Sequence, residues 1–348
     1  MFPKLRKTQS VNLTLGIFGL IKSRSGLMSE IVRMVPGPSE HKHKLKRLWR
    51  FVSNEKVKPG NLINLWSLWV IKTFCKSEYI PVALDWTTLP GNIQCLMAAV
   101  PYAGRALPLL WVTTTYQAFK DSQNLIEQRL VTRLVNIIPK GKKIILVADR
   151  GFGRAKFFKF LLGLNILFAI RARADVKIKT GNGKVMNLRK LKLKTNQVKW
   201  FPSVSYRQDG FVPKINLAAT VASAKEGKKE DPWLIVTNLK SAKTAISRYG
   251  LRFHIEEWFK DLKHELGIAD LQVRNTDRAR RMVLISAFAY GLVMLVGTVT
   301  QRLTKLHNQL ITGGKKVASR IWFALRIIQY QLLPGVYWKK IWLKASGP

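Results

Sequence analysis

Residues 142–151, KKIILVADRG, form an almost unbroken aliphatic run that ends on an aspartate. Such a run leaves no polar face for water, so the strand it predicts must be covered on both sides, and helices are the usual cover. The flanking sequence supplies them. A helical stretch, NLIEQRLVTRLVNII, precedes the run; RAKFFKFLLGL follows it, and then NILFAIRAR reads as a second buried strand. Upstream, YIPVALDWTTL, IQCLMAAVPYAG and RALPLLWVTTTY read as three consecutive strands joined by glycine-containing turns. Three strands, helix, strand, helix, strand is a mixed α/β order.

The regions outside this core differ in texture. Residues 1–78 read as helical, with apolar spacing in NLTLGIFGLI and NLINLWSLWVIKTF and a Pro/Gly break at VPGPSE. Fifteen Lys or Arg face four acids there, which predicts a DNA-binding domain or, equally simply, a solvated basic face. Residues 175–240 carry a Gly-Asn-Gly turn and the strand-like runs QVKWFPSVSYR, INLAATVASA and PWLIVTNL, a β-rich insertion domain. Helical patterns return at 241–300, which rejoin 79–174 as one domain, and 301–348 are a basic, Trp-containing helical tail. Within 241–300, a helix is predicted from Ala245 to Leu266.

Charge narrows the partner. Sixty Lys and Arg against nineteen Asp and Glu give a formal net charge of +41. A polyanion is the natural partner, and nucleic acid leads because each neutralised phosphate releases counterions; a membrane surface or acidic polysaccharide is the alternative. Cys75 and Cys95 show no metal-binding or disulfide spacing, consistent with a reducing cytoplasm. The amino-terminal run lacks a small-residue cleavage site, so no removed leader is expected. The uncharged stretch from Met282 to Thr300 is long enough to span a bilayer. A buried core helix is the preferred reading, because Ser286, Tyr290, Gly291 and Gly297 interrupt it and basic residues flank both ends. No membrane association is therefore expected.

Acids are scarce enough to be read one by one. Asp85 stands alone between Glu78 and Asp121, and Asp149 alone between Glu127 and Asp175; each closes an apolar strand. Paired strand-end carboxylates are a rigid support for Mg²⁺, which prefers hard oxygen ligands. Singly, each has an ordinary alternative: Asp149 pairing with Arg150, or Asp85 capping a turn through Thr87 and Thr88. A third carboxylate comes from AISRYGLRFHIEEWFKDLKHELG. At about 100° per residue, Tyr249, Arg252, Glu256 and Lys263 fall at about 0°, 300°, 340° and 320° on a helical wheel. Glu257 falls at about 80°, off that wedge, so geometry favours Glu256. A surface pair between Glu256 and Lys260 is the competing reading.

The spacing Tyr249, two residues, Arg252, three residues, Glu256, six residues, Lys263 resembles the signature of insertion-sequence transposases with a DDE triad, of the IS-four type. The resemblance covers roughly 79–270. It implies a ribonuclease H-like catalytic core, a mixed five-stranded sheet with flanking helices, interrupted by the β-rich insert; the order of elements read above is the order of that fold. It implies that Asp85, Asp149 and Glu256 are catalytic and hold two Mg²⁺ ions, with Mn²⁺ able to substitute. It also implies that Tyr249, Arg252, Lys263 and Arg150 contact DNA, and that Trp233 resembles the tryptophan that stacks on a flipped base, although Trp233 also reads as an ordinary strand aromatic. Trp86 departs from the family, in which a small residue usually follows the first aspartate. The activity implied is metal-dependent cleavage and strand transfer at inverted-repeat ends and in target double-stranded DNA, by a homodimer in the bacterial cytoplasm at the nucleoid. A transposase-derived DNA-binding protein without activity, a nuclease or junction resolvase of the same fold, and a basic membrane-anchored protein are the other classes.

Overall fold

The computed structural model describes residues 5–207, 211–221, 231–300 and 320–330. The tail assigned to 301–348 therefore lies outside the described residues, apart from one helix within it.

The amino-terminal region holds four helices, α1 (Lys7–Ser23), α2 (Met28–Arg33), α3 (His41–Ser53) and α4 (Pro59–Phe74). Pro59 opens α4, where its missing N–H costs nothing. The core then runs β1 (Tyr79–Leu89), β2 (Ile93–Tyr102), β3 (Arg105–Thr114), α5 (Tyr116–Ile137), β4 (Lys143–Ala148), α6 (Ala155–Gly163) and β5 (Leu167–Arg171). Strands β1 to β3 pair antiparallel, while β4 lies parallel to both β1 and β5. The aliphatic run is buried from Ile144 to Ala148, so both faces of β4 are covered, as its composition requires.

The expected five-stranded sheet continues. The insert contributes β6 (Lys177–Lys179), β7 (Val185–Asn187), β8 (Val198–Arg207), β9 (Phe211–Thr220) and β10 (Trp233–Thr237). All ten strands form one sheet in the order β3-β2-β1-β4-β5-β10-β9-β8-β6-β7. The join is antiparallel pairing of β10 to the free edge of β5, extended by the Ala172 amide donating to the Leu234 carbonyl at 2.6 Å. An open row of backbone donors and acceptors beside β5 is satisfied in this way.

The opposite edge, β3, is closed by helices. Trp66 on α4 donates its indole N–H to the Pro108 carbonyl at 2.6 Å, and the Ser67 hydroxyl reaches the Leu109 carbonyl at 2.8 Å. Pro108 sits where the β2–β3 register slips, a bulge on an edge strand that has no ladder donor to lose there.

Three further helices follow: α7 (Ala242–Gly250), α8 (Phe253–Lys260) and α9 (Thr276–Thr300), with α10 (Arg320–Gln329) packed on α9. The uncharged stretch is α9, and 83% of its apolar window is buried inside the protein, against α1, α4 and β3. A helix apolar on every side is accommodated by being surrounded. Gly291 is required there: a Cβ would lie 2.1 Å from the Trp66 ring.

Candidate active site

Parallel pairing of Leu84 with Ala148 brings the residues that follow them, Asp85 and Asp149, side by side at the carboxyl end of β4. The residues leading to them are fully buried, which fixes the direction of both strands. Asp85 does not close its strand as expected: β1 runs on to Leu89, paired with β2, so Asp85 sits within it opposite Met97, and its Oδ1 accepts from the Trp86 amide at 2.8 Å. Asp149 leaves β4 as the cap of a single 3-10 turn, Arg150–Phe152, where its Oδ1 accepts from the Gly151 amide at 2.8 Å. Neither ordinary alternative describes these contacts: no ion pair joins Asp149 to Arg150 among the described residues, and Thr88 bonds to Gln94. Burial, and next the Asp149 charge, push the Asp85 carboxyl up to about 7, against the pull of Arg252 and the Trp86 amide. Two carboxylates thus crowd one partly dry corner.

Arg252 connects this pair to Glu256. Its guanidinium lies 3.8 Å from Asp85 Oδ2 and 2.7 Å from Glu256 Oε1, is only 9% exposed, and stacks on the Phe253 ring at 4.4 Å. Glu256 is 45% exposed. Lys260 binds Glu257 at 2.5 Å, so the competing pair with Glu256 is not formed.

The helix carrying these residues is not the single α-helix expected over Ala245–Leu266. Leu251, Arg252, His254 and Ile255 each donate to the carbonyl three residues back, which overwinds the junction between α7 and α8. Beyond α8, residues Asp261–Glu265 turn as a π-helix, with the Leu266 amide donating to the Asp261 carbonyl. The cause of the second departure is visible in side chains: Asp261 Oδ2 is held by Arg105 Nε and the Tyr290 hydroxyl, each at 2.8 Å. Despite the overwound junction, Tyr249 stays beside Arg252, whose guanidinium lies 5.9 Å from its ring centroid. Tyr249 is 1% exposed and packs edge-on against Trp233 at 4.9 Å. Trp233 also stacks on Phe253 at 5.6 Å, so the three aromatics and Arg252 form one assembly. Lys263 is half-buried on the π turn, and Arg150 is exposed; neither side chain has an ion pair among the described residues.

One residue that sequence reasoning passed over belongs to this site. Glu127 on α5 is fully buried, and its carboxylate receives the Trp86 indole N–H at 3.0 Å, the Gln123 amide at 2.9 Å and the Arg154 guanidinium. Trp86 follows Asp85, and Arg154 closes the turn that begins at Asp149. Glu127 thus ties together the two segments that present the aspartates. It also accounts for the unusual Trp86, whose indole is the donor. Burial pushes this carboxyl up and Arg154 draws it back. Its signal in the sequence is phase: Glu127 lies three, four and seven residues before Leu130, Val131 and Leu134, on the buried stripe of α5.

Among the described residues no three His, Cys, Asp or Glu side chains are gathered as a metal-ligand set. Asp85 and Asp149 nonetheless have the chemistry a hard divalent cation takes: adjacent oxygen donors on rigid strands whose mutual repulsion a cation relieves. The Arg252 guanidinium stands between Asp85 and Glu256 and holds the third carboxylate at the same corner.

No curated protein matches the chain. A sequence model of the family described as the transposase DDE domain matches residues 76–292, which begin just before β1, end within α9 and include Asp85, Asp149 and Glu256. That match spans more than half of the chain, and the chain belongs to the transposase DDE-domain family.

Proposed function

We propose that the protein is an insertion-sequence transposase of the IS-four type with a ribonuclease H-like core, and that Asp85, Asp149 and Glu256 are its catalytic carboxylates. The observation that carries this reading is the placement of Asp85 and Asp149 on adjacent parallel strands, with Arg252 linking Glu256 to them. The three carboxylates would hold two Mg²⁺ ions, or Mn²⁺, which when bound supply an activated water and charge stabilisation for in-line attack on phosphorus. Arg252 serves first as the counter-ion of Asp85 and Glu256. With a DNA phosphate present it can offer the same fork to phosphate oxygens. Lys263 adds a point charge, and Arg150 presents a second guanidinium beside Asp149. Tyr249 on α7 and Trp233 on the insert brace Arg252 and Phe253; Trp233 is also the candidate for stacking on an unpaired base. The substrates are double-stranded inverted-repeat ends and target DNA, handled by a homodimer in the bacterial cytoplasm, with residues 1–78 as a DNA-binding domain.

Glu256→Gln is expected to abolish Mg²⁺-dependent nicking of end-containing DNA while leaving DNA binding within about twofold, because an amide is a poor ligand for a hard cation. A gel assay of nicking beside a binding titration decides it. Nicking by Glu256→Gln at the wild-type rate would remove Glu256 from the mechanism. Wild-type binding without nicking would favour the inactive, DNA-binding reading.

A further inference from the structure

A groove of about 480 Å³ opens beside Asp149, where the core sheet meets the insert. Four arginines from three segments line it: Arg150 from the turn after β4, Arg171 and Arg173 from the end of β5, and Arg189 from a 3-10 turn of the insert. Among the described residues only two acids line it. Asp231 is engaged by Arg171, and Asp175 by Arg173 at 3.1 Å, whereas Arg150 and Arg189 have no ion pair among the described residues. The groove is therefore net positive, and converging like charges are costly unless a polyanion takes them up. Its wall is also fixed to the carboxylate corner. Gly153, closing the Asp149 turn, packs so tightly on the end of β5 that a Cβ would lie 2.7 Å from the Arg171 carbonyl oxygen.

Resting on the function proposed above, we infer that this groove binds the phosphodiester backbone of the DNA strand where it runs on from the Asp85–Asp149 corner. Guanidinium forks match phosphate oxygens in pairs, and the free Arg150 and Arg189 stand on opposite sides of the core–insert junction. Arg173 leaves Asp175 for phosphate when DNA enters, while Arg171, bound also to the Pro232 carbonyl, keeps the wall in place.

The test uses the full chain and a labelled DNA duplex titrated across a series of salt concentrations. Arg173→Ala/Arg189→Ala is expected to weaken binding and to make the slope of log K against log[salt] shallower by about 2, since each lost phosphate contact removes about 0.9. Lys76→Ala/Lys140→Ala removes the same charge from the opposite end of β1 and β4 and is expected to leave the slope unchanged. Arg173→Lys/Arg189→Lys is expected to keep the wild-type slope. An unchanged slope in the arginine-to-alanine variant, or an equal loss in the lysine-to-alanine control, overturns the groove. The titration needs no cleavage, so a failure of the wild type to nick DNA counts against the proposed function and leaves the groove separately tested.

Discussion

At the scale of single residues, Asp85 sets the pH behaviour of the site. Its carboxyl titrates at about 7 in the folded chain against 3.8 for the ordinary group, so the folded state holds a proton that the unfolded state has released. Stability is then lost as pH rises from about 4 to about 7 and stays low above that. Asp85→Asn removes the penalty. Thermal melts without divalent metal should show the variant more stable by a few kcal/mol at pH 8, since a carboxyl displaced by one pH unit changes stability by about 1.4 kcal/mol, and should show no gain near pH 4. Equal stabilities at pH 8 would show that the carboxylate is not strained. Glu127 makes a different prediction. Glu127→Ala strands Arg154 and the Trp86 indole and should cost about 3–5 kcal/mol, whereas Glu127→Leu/Arg154→Met should recover most of that stability. If the residue positions the aspartates, nicking stays low in the double variant despite its restored melting temperature. Asp85 and Asp149 were legible because acids are rare and both close apolar runs. Glu127 lay in plain view, but its importance depends on Trp86 and Arg154, which only the fold brings to it.

At the scale of elements, the informative region is the broken helix from α7 to the π turn. Periodicity separates Glu256 from Glu257 in the sequence, and the two do diverge on α8, toward Arg252 and Lys260 respectively, because the helical rotation between neighbours is local. It says nothing of the overwound junction before α8 or of the π turn that carries Lys263, because a wheel assumes one pitch, and at the π turn side chains from a distant strand and helix hold Asp261. Tyr290 on α9 and Arg105 on β3 hold Asp261, and neither contact can be read from the sequence around Lys263. Tyr290→Phe deletes one buried bond to a charged group and should cost about 1.5–3 kcal/mol in a chemical melt. It should also lower Mg²⁺-dependent nicking at saturating DNA, as the π turn relaxes and Lys263 shifts. Full nicking with reduced stability would separate the π turn from the function of the site.

At the scale of the whole molecule, the mixed α/β order, the helical amino-terminal region and the strand content of the insert were legible, since each is written in local pattern. The union of insert and core in one ten-stranded sheet was not, because β10 meets β5 through backbone bonds whose partners are far apart in sequence. The interior position of α9 followed from its flanking charge and internal polar residues, but its close fit to Trp66 at Gly291 did not. The other margin of the sheet carries a practical consequence. Since Trp66 and Ser67 occupy carbonyls of β3, the amino-terminal helices act as a lid on an otherwise adhesive border. A fragment beginning at Tyr79 would bare that border and the apolar flank of α9 together. It should emerge from size-exclusion chromatography as aggregate, while the intact chain elutes as a defined species; a well-behaved fragment would mean the catalytic region is self-sufficient.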